Sequence, residues 1–178
     1  MLNELLERCK GEWQLALSQR NHPYRFFVLG TTSDSRPELR TVVLRDYNPE
    51  SMEFTIYTDA RSSKVSSLNN NEAVEILFYN SEKLTQVRIQ AQCVLKERDD
   101  TLFREQALAS QKDYTTVLAP GSRIDSVSST SFLQEEHHFM KLVFRATQLD
   151  YLELRRPVHI RALFKKVKES WIGEFRTP

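Results

Sequence analysis

The chain has 178 residues, with 25 Lys and Arg against 24 Asp and Glu and a formal charge of +1. At 40% hydrophobic and 28% charged, it has the length and make-up of one globular domain, residues 1–178, with a sizeable core. The near-zero balance excludes a general pull toward nucleic acid or an anionic membrane, so any anion site has to be a local cluster.

The chain starts MLNELLERCK, with acids and no long apolar core, which is not the pattern of a signal peptide. No apolar run approaches a membrane span. Leu2, Leu5, Leu6, Cys9, Trp13, Ala16 and Leu17 recur at three- and four-residue steps, which predicts an amphipathic helix over about 2–20. His22-Pro23 ends it, because the residue before a proline leaves the α region. Cys9, on the apolar stripe, reads as a small buried hydrophobe rather than a reactive thiol. Two cysteines, Cys9 and Cys93, do not make a disulfide framework in a chain this size, and the cytoplasm is the expected compartment. Only four glycines occur and no GxGxxG or Walker pattern, which argues against a Gly-rich nucleotide loop.

Residues 24–32 (YRFFVLGTT) predict a first strand and 33–37 a polar turn. Residues 40–45 (RTVVLR) predict a second strand, and 46–51, with Pro49 among Asx residues, a turn. In the strand predicted over 52–58, Phe54, Ile56 and Thr58 share one face and Glu53, Thr55 and Tyr57 the other. The corner Asp59-Ala60-Arg61-Ser62-Ser63-Lys64 then opens a short helix over 63–70. Free N–H groups at a helix start, Ser hydroxyls and a Lys form an anion site suited to a phosphate. On this stretch alone, a capped surface helix with solvated cations is the better supported reading.

Residues 73–79 (AVEILFY) predict a strand and 80–83 a turn. Over 84–95, Thr85, Val87, Ile89, Ala91, Cys93 and Leu95 take one face and Gln86, Arg88, Gln90 and Gln92 the other, a long strand with one wet or ligand-lined side. Asp99 or Asp100 caps a helix to about 110, and 114–118 reads as a second short helical piece. Residues 119–123 (APGSR) are a loop and 124–130 a Ser-rich segment. Ser131 with Gln134 resembles a capping box before a helix through His138. A strand over 139–146, a connecting turn over 147–154 and a closing hairpin of 159–167 with 171–175 complete the chain. Six to eight short strands with peripheral helices favour a mainly β, α+β antiparallel barrel. Glu135-Glu136-His137-His138 is not HExxH, and adjacent residues do not share a helix face, so no metal is expected.

Four blocks in order, RTVVLR at 40–45, FTIYTD at 54–59, SSK at 62–64 and TQVRIQAQ at 85–92, resemble the flavin-binding signature of the pyridoxamine 5′-phosphate oxidase family. The resemblance implies a split β-barrel holding noncovalent FMN, an oxidoreductase acting on a small molecule, and a homodimer with FMN between subunits. Lys64 and Arg40 are then first candidates for the phosphate, with Ser62 and Ser63 beside them. The family pattern has Arg where Ser63 stands, and Arg61 could compensate. Thr41, Val42, Val43 and Leu44 would line the ring, Arg45 stands where the family has a Lys near it, and Tyr57, Thr58 and Gln86 occupy further flavin contacts. Strict alternation puts Arg40 and Arg45 on opposite faces, so a twist or strand end must intervene if both touch one ligand.

A fifth block, Pro157-Val158-His159-Ile160-Arg161, matches the family's Arg-x-His-x-Arg except at its first position. His159 and Arg45 are the substrate-side candidates. Arg161 and Ser122 would reach FMN held by the partner's strands. Trp171 reads as a core anchor of the last hairpin. The helix that holds the family's substrate phosphate through Tyr, Arg and Ser offers Leu102, Gln106 and Ser110 here. That implies a surviving FMN site on a divergent member without the vitamin B6 reaction. A flavin- or planar-cofactor-binding protein that does not turn over is the alternative on the same barrel.

Overall fold

The computed structural model describes residues 1–178. Helix α1 (Leu2–Ser18) buries Leu5, Leu6, Cys9, Trp13 and Ala16, the stripe its periodicity requires. It stops slightly short of the expected end, and Pro23 opens a single 3-10 turn (Pro23–Arg25) that takes Tyr24 out of the first strand. No helix is long and apolar enough to cross a membrane.

Nine strands follow, one more than the upper expectation, all in antiparallel pairings. They are β1 (Phe26–Ser33), β2 (Arg36–Val43), β3 (Asp46–Asn48), β4 (Glu53–Asp59), β5 (Ala73–Asn80), β6 (Thr85–Glu97), β7 (Phe139–Glu153), β8 (Ile160–Val167) and β9 (Ser170–Arg176). Helix α2 (Ser63–Asn70) separates β4 from β5, and two short helices, α3 (Asp100–Glu105) and α4 (Leu108–Gln111), follow β6. The strand order is β2-β1-β5-β6-β7-β4-β3, with β8 on β7 and β9 on β8.

The two ends of that order are consecutive in the chain. Only Leu44 and Arg45 join β2 to β3, and their N–H groups donate to opposite ends of the sheet, Leu44 to the Arg25 carbonyl and Arg45 to that of Thr55, both at 2.9 Å. The sheet therefore has to curl until its ends meet, without a ladder across the seam. Strand β7 makes the split. Its first half pairs with β4 and its second half with β8, while β6 runs along its other edge. A register shift at Gln90/Ala91, where Thr147 is the extra residue, bends β7 between the halves.

The core centres on Trp13, fully buried, whose ring lies 5.3 Å from Tyr47, 5.0 Å from Phe54 and 5.7 Å from Phe78. These separations suit tilted and edge-to-face aromatic packing. Trp171 is only partly buried and packs against this core from β9.

Several expectations are corrected. Strand β2 starts at Arg36 because Asp34 and Ser35, at φ 47° and 63°, make a two-residue hairpin turn. Pro37 fits because β2 pairs on one side only. Residues 46–48 are strand rather than turn, pairing with β4, and the turn moves to 49–52. The helix over 99–110 breaks at Gln106. The helical pieces expected over 114–118 and 131–138 are absent: a 3-10 turn ends at Tyr114 and Thr116 bridges Phe132. The amide of Val117 donates to Ser131 O and that of Leu133 to Thr115 O, so long-range pairing outweighs the local cap. The turn over 147–154 is the second half of β7. Leu95 is exposed because the register shifts between Cys93 and Leu95.

Two glycines give opposite tests. A Cβ at Gly11, inside α1, meets nothing within 4 Å, whereas one at Gly173 meets the Phe164 ring at 2.6 Å. Gly11→Ala is expected to stabilise the fold by about 0.5–1 kcal/mol. Gly173→Ala is expected to destabilise it by about 1–3 kcal/mol. Denaturant unfolding of the two variants reads both signs.

Candidate functional site

At the corner after β4, the Asp59 carboxylate accepts from the Arg61 backbone N–H at 2.8 Å and from its guanidinium at 2.7 and 3.1 Å. The same guanidinium donates to the carbonyls of Thr116 and Val117 at 2.8 and 3.0 Å. Arg61 thus clamps the loop after Tyr114 onto the corner, with its charge balanced. The Ala60 N–H donates to the His138 carbonyl at 2.7 Å, fixing the same corner from the strand side.

Helix α2 starts here. Ser62 is its N-cap residue but makes no side-chain cap bond; its buried hydroxyl lies 3.3 Å from that of Thr58. The first-turn N–H groups are left without a side-chain acceptor. Ser63 is exposed at the first helical position. Lys64 is partly buried, forms no ion pair, and donates to Thr58 Oγ1 at 2.9 Å. Burial pushes its pKa down, the nearby Arg40 charge adds to that, and Asp59 opposes it. A half-dry ammonium with no carboxylate, at an uncapped helix start, has the chemistry of an anion site.

Arg40 stands on the inward face of β2, across from Leu29. It donates to Thr31 Oγ1 at 2.7 Å and the Glu38 carbonyl at 3.0 Å, and pairs with the Glu38 carboxylate at 2.8 Å. Thr41 and Val43 face outward across from Val28 and Phe26. Val42 packs against the core and Leu44 is buried. With β2 pairing only β1, one row of its N–H and C=O groups is unpaired.

Arg45 lies past the strand end, so β-alternation no longer ties it to Arg40. Its guanidinium sits 5.5 Å from the Tyr57 ring centre and forms no ion pair. Tyr57 and Tyr114 both pack on Phe139 at 5.0 Å. Burial pushes both phenols up, and Arg45 pulls them back. His137 stacks on Phe103 at 3.8 Å and pairs with Asp100 at 3.2 Å.

Tyr57 and Thr58, adjacent on β4, point to opposite sides of the strand. One joins the Arg45 cluster and the other the Lys64 cluster, so β4 lies between the two.

On the outer face, Gln86 lies between Tyr79 and Leu152. Beside it, Asp150 accepts from Arg161 at 3.0 and 2.8 Å and from Arg88 at 2.9 Å. His159 accepts the Arg155 N–H on Nδ1 at 3.1 Å. Ser122 is exposed in the loop at 119–123 and lines a small hollow with Thr116 and Leu118. Phe26, Tyr79 and Leu39, at 52, 50 and 71% exposure, add exposed apolar side chains to a face that also carries these amide and charged groups. Hollows elsewhere include a groove of about 850 Å³ between α1 and the β8–β9 turn, one of about 400 Å³ over β1, β5 and β6 that Thr31 and Leu39 line, and one of about 360 Å³ under α1, lined by Arg8, Cys9, Tyr24 and Tyr151.

Glu38, Thr31, Tyr114 and Asp150 escape sequence reasoning. Asp150 falls in a stretch read as turn, and the role of Glu38 depends on a strand that begins four residues earlier than its apolar run.

The model of the pyridoxamine 5′-phosphate oxidase FMN-binding domain matches residues 8–97. A pyridoxine/pyridoxamine 5′-phosphate oxidase from Erythrobacter litoralis (strain HTCC2594) is 31% identical over 105 residues, 57% of this chain and 49% of that protein, so the match spans about half of that relative's length. A pyridoxamine 5′-phosphate oxidase-related, FMN-binding protein from Nostoc punctiforme PCC 73102 shares the fold, with a TM-score of 0.78 at 21% identity over 96% of both chains. PhzG from Burkholderia lata 383, solved with tetrahydrophenazine-1-carboxylic acid, has a TM-score of 0.77 at 16% identity, covering 98% of this chain and 91% of that one.

Two stability outcomes follow from the charges. A lysine whose pKa is lowered by folding opposes folding while it is charged. Lys64→Met is therefore expected to raise the melting temperature of the ligand-free protein near neutral pH. Asp150 is the opposite case: hydrogen bonds from Arg161, then charge and hydrogen bonding from Arg88, hold its carboxyl below the usual range against desolvation. Its contribution is complete above the unfolded carboxylate pKa and is lost as pH falls through the folded value. Asp150→Asn should unfold at lower denaturant near neutral pH, and the gap to the parent should close on acidification.

Proposed function

Because the chain belongs to the pyridoxamine 5′-phosphate oxidase FMN-binding family, we propose that it is a flavoprotein holding FMN noncovalently for oxidoreductase chemistry on a small molecule. The observation that carries this reading is Lys64, an unpaired and partly dry ammonium beside the uncapped start of α2. A phosphate dianion supplies the acceptors that these donors lack. Ser62 and Ser63 border it, and Arg40 stands on the adjoining strand.

The ring would lie along the unpaired edge of β2, with backbone groups of 41–44 for its polar rim and Val42 and Val43 for its faces. Arg45, Tyr57, Thr58 and Gln86 would complete the contacts. When bound, the flavin supplies hydride or electron transfer; the protein binds, orients and shields it. Arg61 is better read as the clamp on 116–118 than as a phosphate ligand, because Asp59 already balances it. His159 Nε2 and Arg45 are the side chains proposed to face a substrate.

Exposed Phe26, Leu39 and Tyr79 on the outer face support a symmetric homodimer. Arg161 and Ser122 would then approach FMN held by the partner. Nothing in the fold calls for nucleic acid or membrane as a partner. Two buried free thiols, Cys9 and Cys93, suit a reducing compartment such as the cytoplasm.

A second reading, a flavin binder without turnover, draws on α3. By the resemblance, Leu102, Gln106 and Ser110 take the positions that hold the family's substrate phosphate, and the Gln106 amide donates to the Leu102 carbonyl at 2.9 Å. Arg104, nearby, bonds the Asp100 carbonyl at 3.0 Å. On either reading, vitamin B6 oxidation is not the proposed activity.

The deciding measurement is an absorbance spectrum of the purified protein, with mass identification of what it releases on denaturation. A flavin spectrum and FMN are expected; a colourless protein that ignores added FMN would refute both readings. Reduction followed by acceptor-dependent reoxidation separates enzyme from binder. Lys64→Ala is expected to weaken FMN roughly 10- to 100-fold through one lost charge-assisted donor. Efficient formation of the aldehyde from pyridoxamine phosphate and oxygen would overturn the claim about substrate.

A further inference from the structure

Resting on the phosphate reading of the corner, we propose that Glu38 is a displaceable counterion that competes with the flavin phosphate for Arg40. The bound flavin is then exchangeable rather than permanently held. Glu38 and Arg40 are two apart on β2 and share its inward face. The guanidinium is anchored independently of the carboxylate, by Thr31 Oγ1 at 2.7 Å, the Glu38 carbonyl at 3.0 Å and the Leu29 carbonyl at 3.3 Å. The Glu38 carboxylate is held by Arg40 alone, at 2.8 Å.

Exposure separates the two partners further. The Arg40 side chain is 20% exposed and that of Glu38 is 40%. The carboxylate can swing into water while the guanidinium keeps its place. An incoming phosphate would find Arg40 positioned, but only after Glu38 leaves.

Charge at the corner gives this exchange its weight. Arg61 is taken by Asp59 and Arg40 by Glu38. Ser63 stands where the resembled pattern has a further Arg. Lys64 is thus the one cation of the corner without a carboxylate, and it faces a dianion. Removing the Glu38 charge adds a second free cation without altering any other bond that holds Arg40.

The experiment is titration of FMN and of riboflavin, which lacks the phosphate, by quenching of flavin fluorescence at one fixed ionic strength. Glu38→Gln is nearly isosteric and is expected to bind FMN about tenfold tighter. Its affinity for riboflavin is expected to stay within about twofold. Glu38→Ala should move in the same direction, which guards against a folding effect of one variant. In an Arg40→Gln background, Glu38→Gln should give no gain, because the coupling is lost. Equal FMN affinity in parent and variant, an equal gain for riboflavin, or a gain that survives Arg40→Gln would each overturn the proposal. Failure of every protein to bind FMN would overturn the phosphate reading itself, and is distinguishable because no variant would then show a flavin signal to compare.

Discussion

The joint at Leu44 and Arg45 is the constraint from which the rest of the architecture follows. Two adjacent N–H groups bond to carbonyls just before β1 and on β4, the strands next to the two ends of a seven-strand path. A flat sheet cannot satisfy that. The sheet must roll, and rolling needs an interior filled to normal density, which α1 supplies by inserting Trp13 among Tyr47, Phe54 and Phe78. It also needs somewhere to bend, which the bulge beside Thr147 provides. The seam left open between β2 and β4 is then a necessary product of the fold, and α2 starts beside it.

That seam explains why the cations gather where they do. Arg40 comes from the strand on one side, and Lys64 from the helix that leaves the strand on the other. Neither could stay charged and unpaired inside the barrel, since burial without a partner is severely penalised. At the seam they remain charged, at some cost to Lys64. Most charges here are cancelled locally, Arg61 by Asp59 and Arg161 by Asp150. Those pairs fix geometry: one holds the 116–118 loop and the other ties β7 to β8. The residues left uncancelled, Lys64 and Arg45, are the ones with capacity to meet something from outside.

What the sequence discloses follows the range of the interactions involved. Helix α1, the alternation of β6 over 85–93 and the start of α2 at Ser63 are set by local period and turn chemistry, and they were legible. Strand β7 was not legible beyond 146, because Thr147 interrupts the alternation and only pairing with β6 and β8 carries the strand through it. The segment 131–138 carries a local helix-start signal that Thr115, Thr116 and Val117 override from across the chain. Among the candidate site residues, Lys64 is marked by the helix-start chemistry around it and Arg40 by its place in a block that resembles the family signature. Glu38 is not marked, because Arg36 and Pro37 disguise the first half of an edge strand. The pairing of Arg61 with Asp59, two residues away, is not legible either, because it depends on the turn that folds one side chain back on the other.

The boundary of the family match falls between two parts of the chain that are joined in a particular way. The match ends at residue 97, and α3 begins at Asp100. Every element of the cation corner, from β2 through β4 to α2, lies before that boundary. The helices α3 and α4 lie after it, where Gln106 donates to the Leu102 carbonyl. The principal link from the corner into the later segment is the Arg61 clamp, and it binds backbone carbonyls of Thr116 and Val117. Carbonyl acceptors do not depend on side-chain identity, so the later segment can change its residues without loosening the corner. A fold joined in this way can change the residues after 97 while the cation corner retains its geometry.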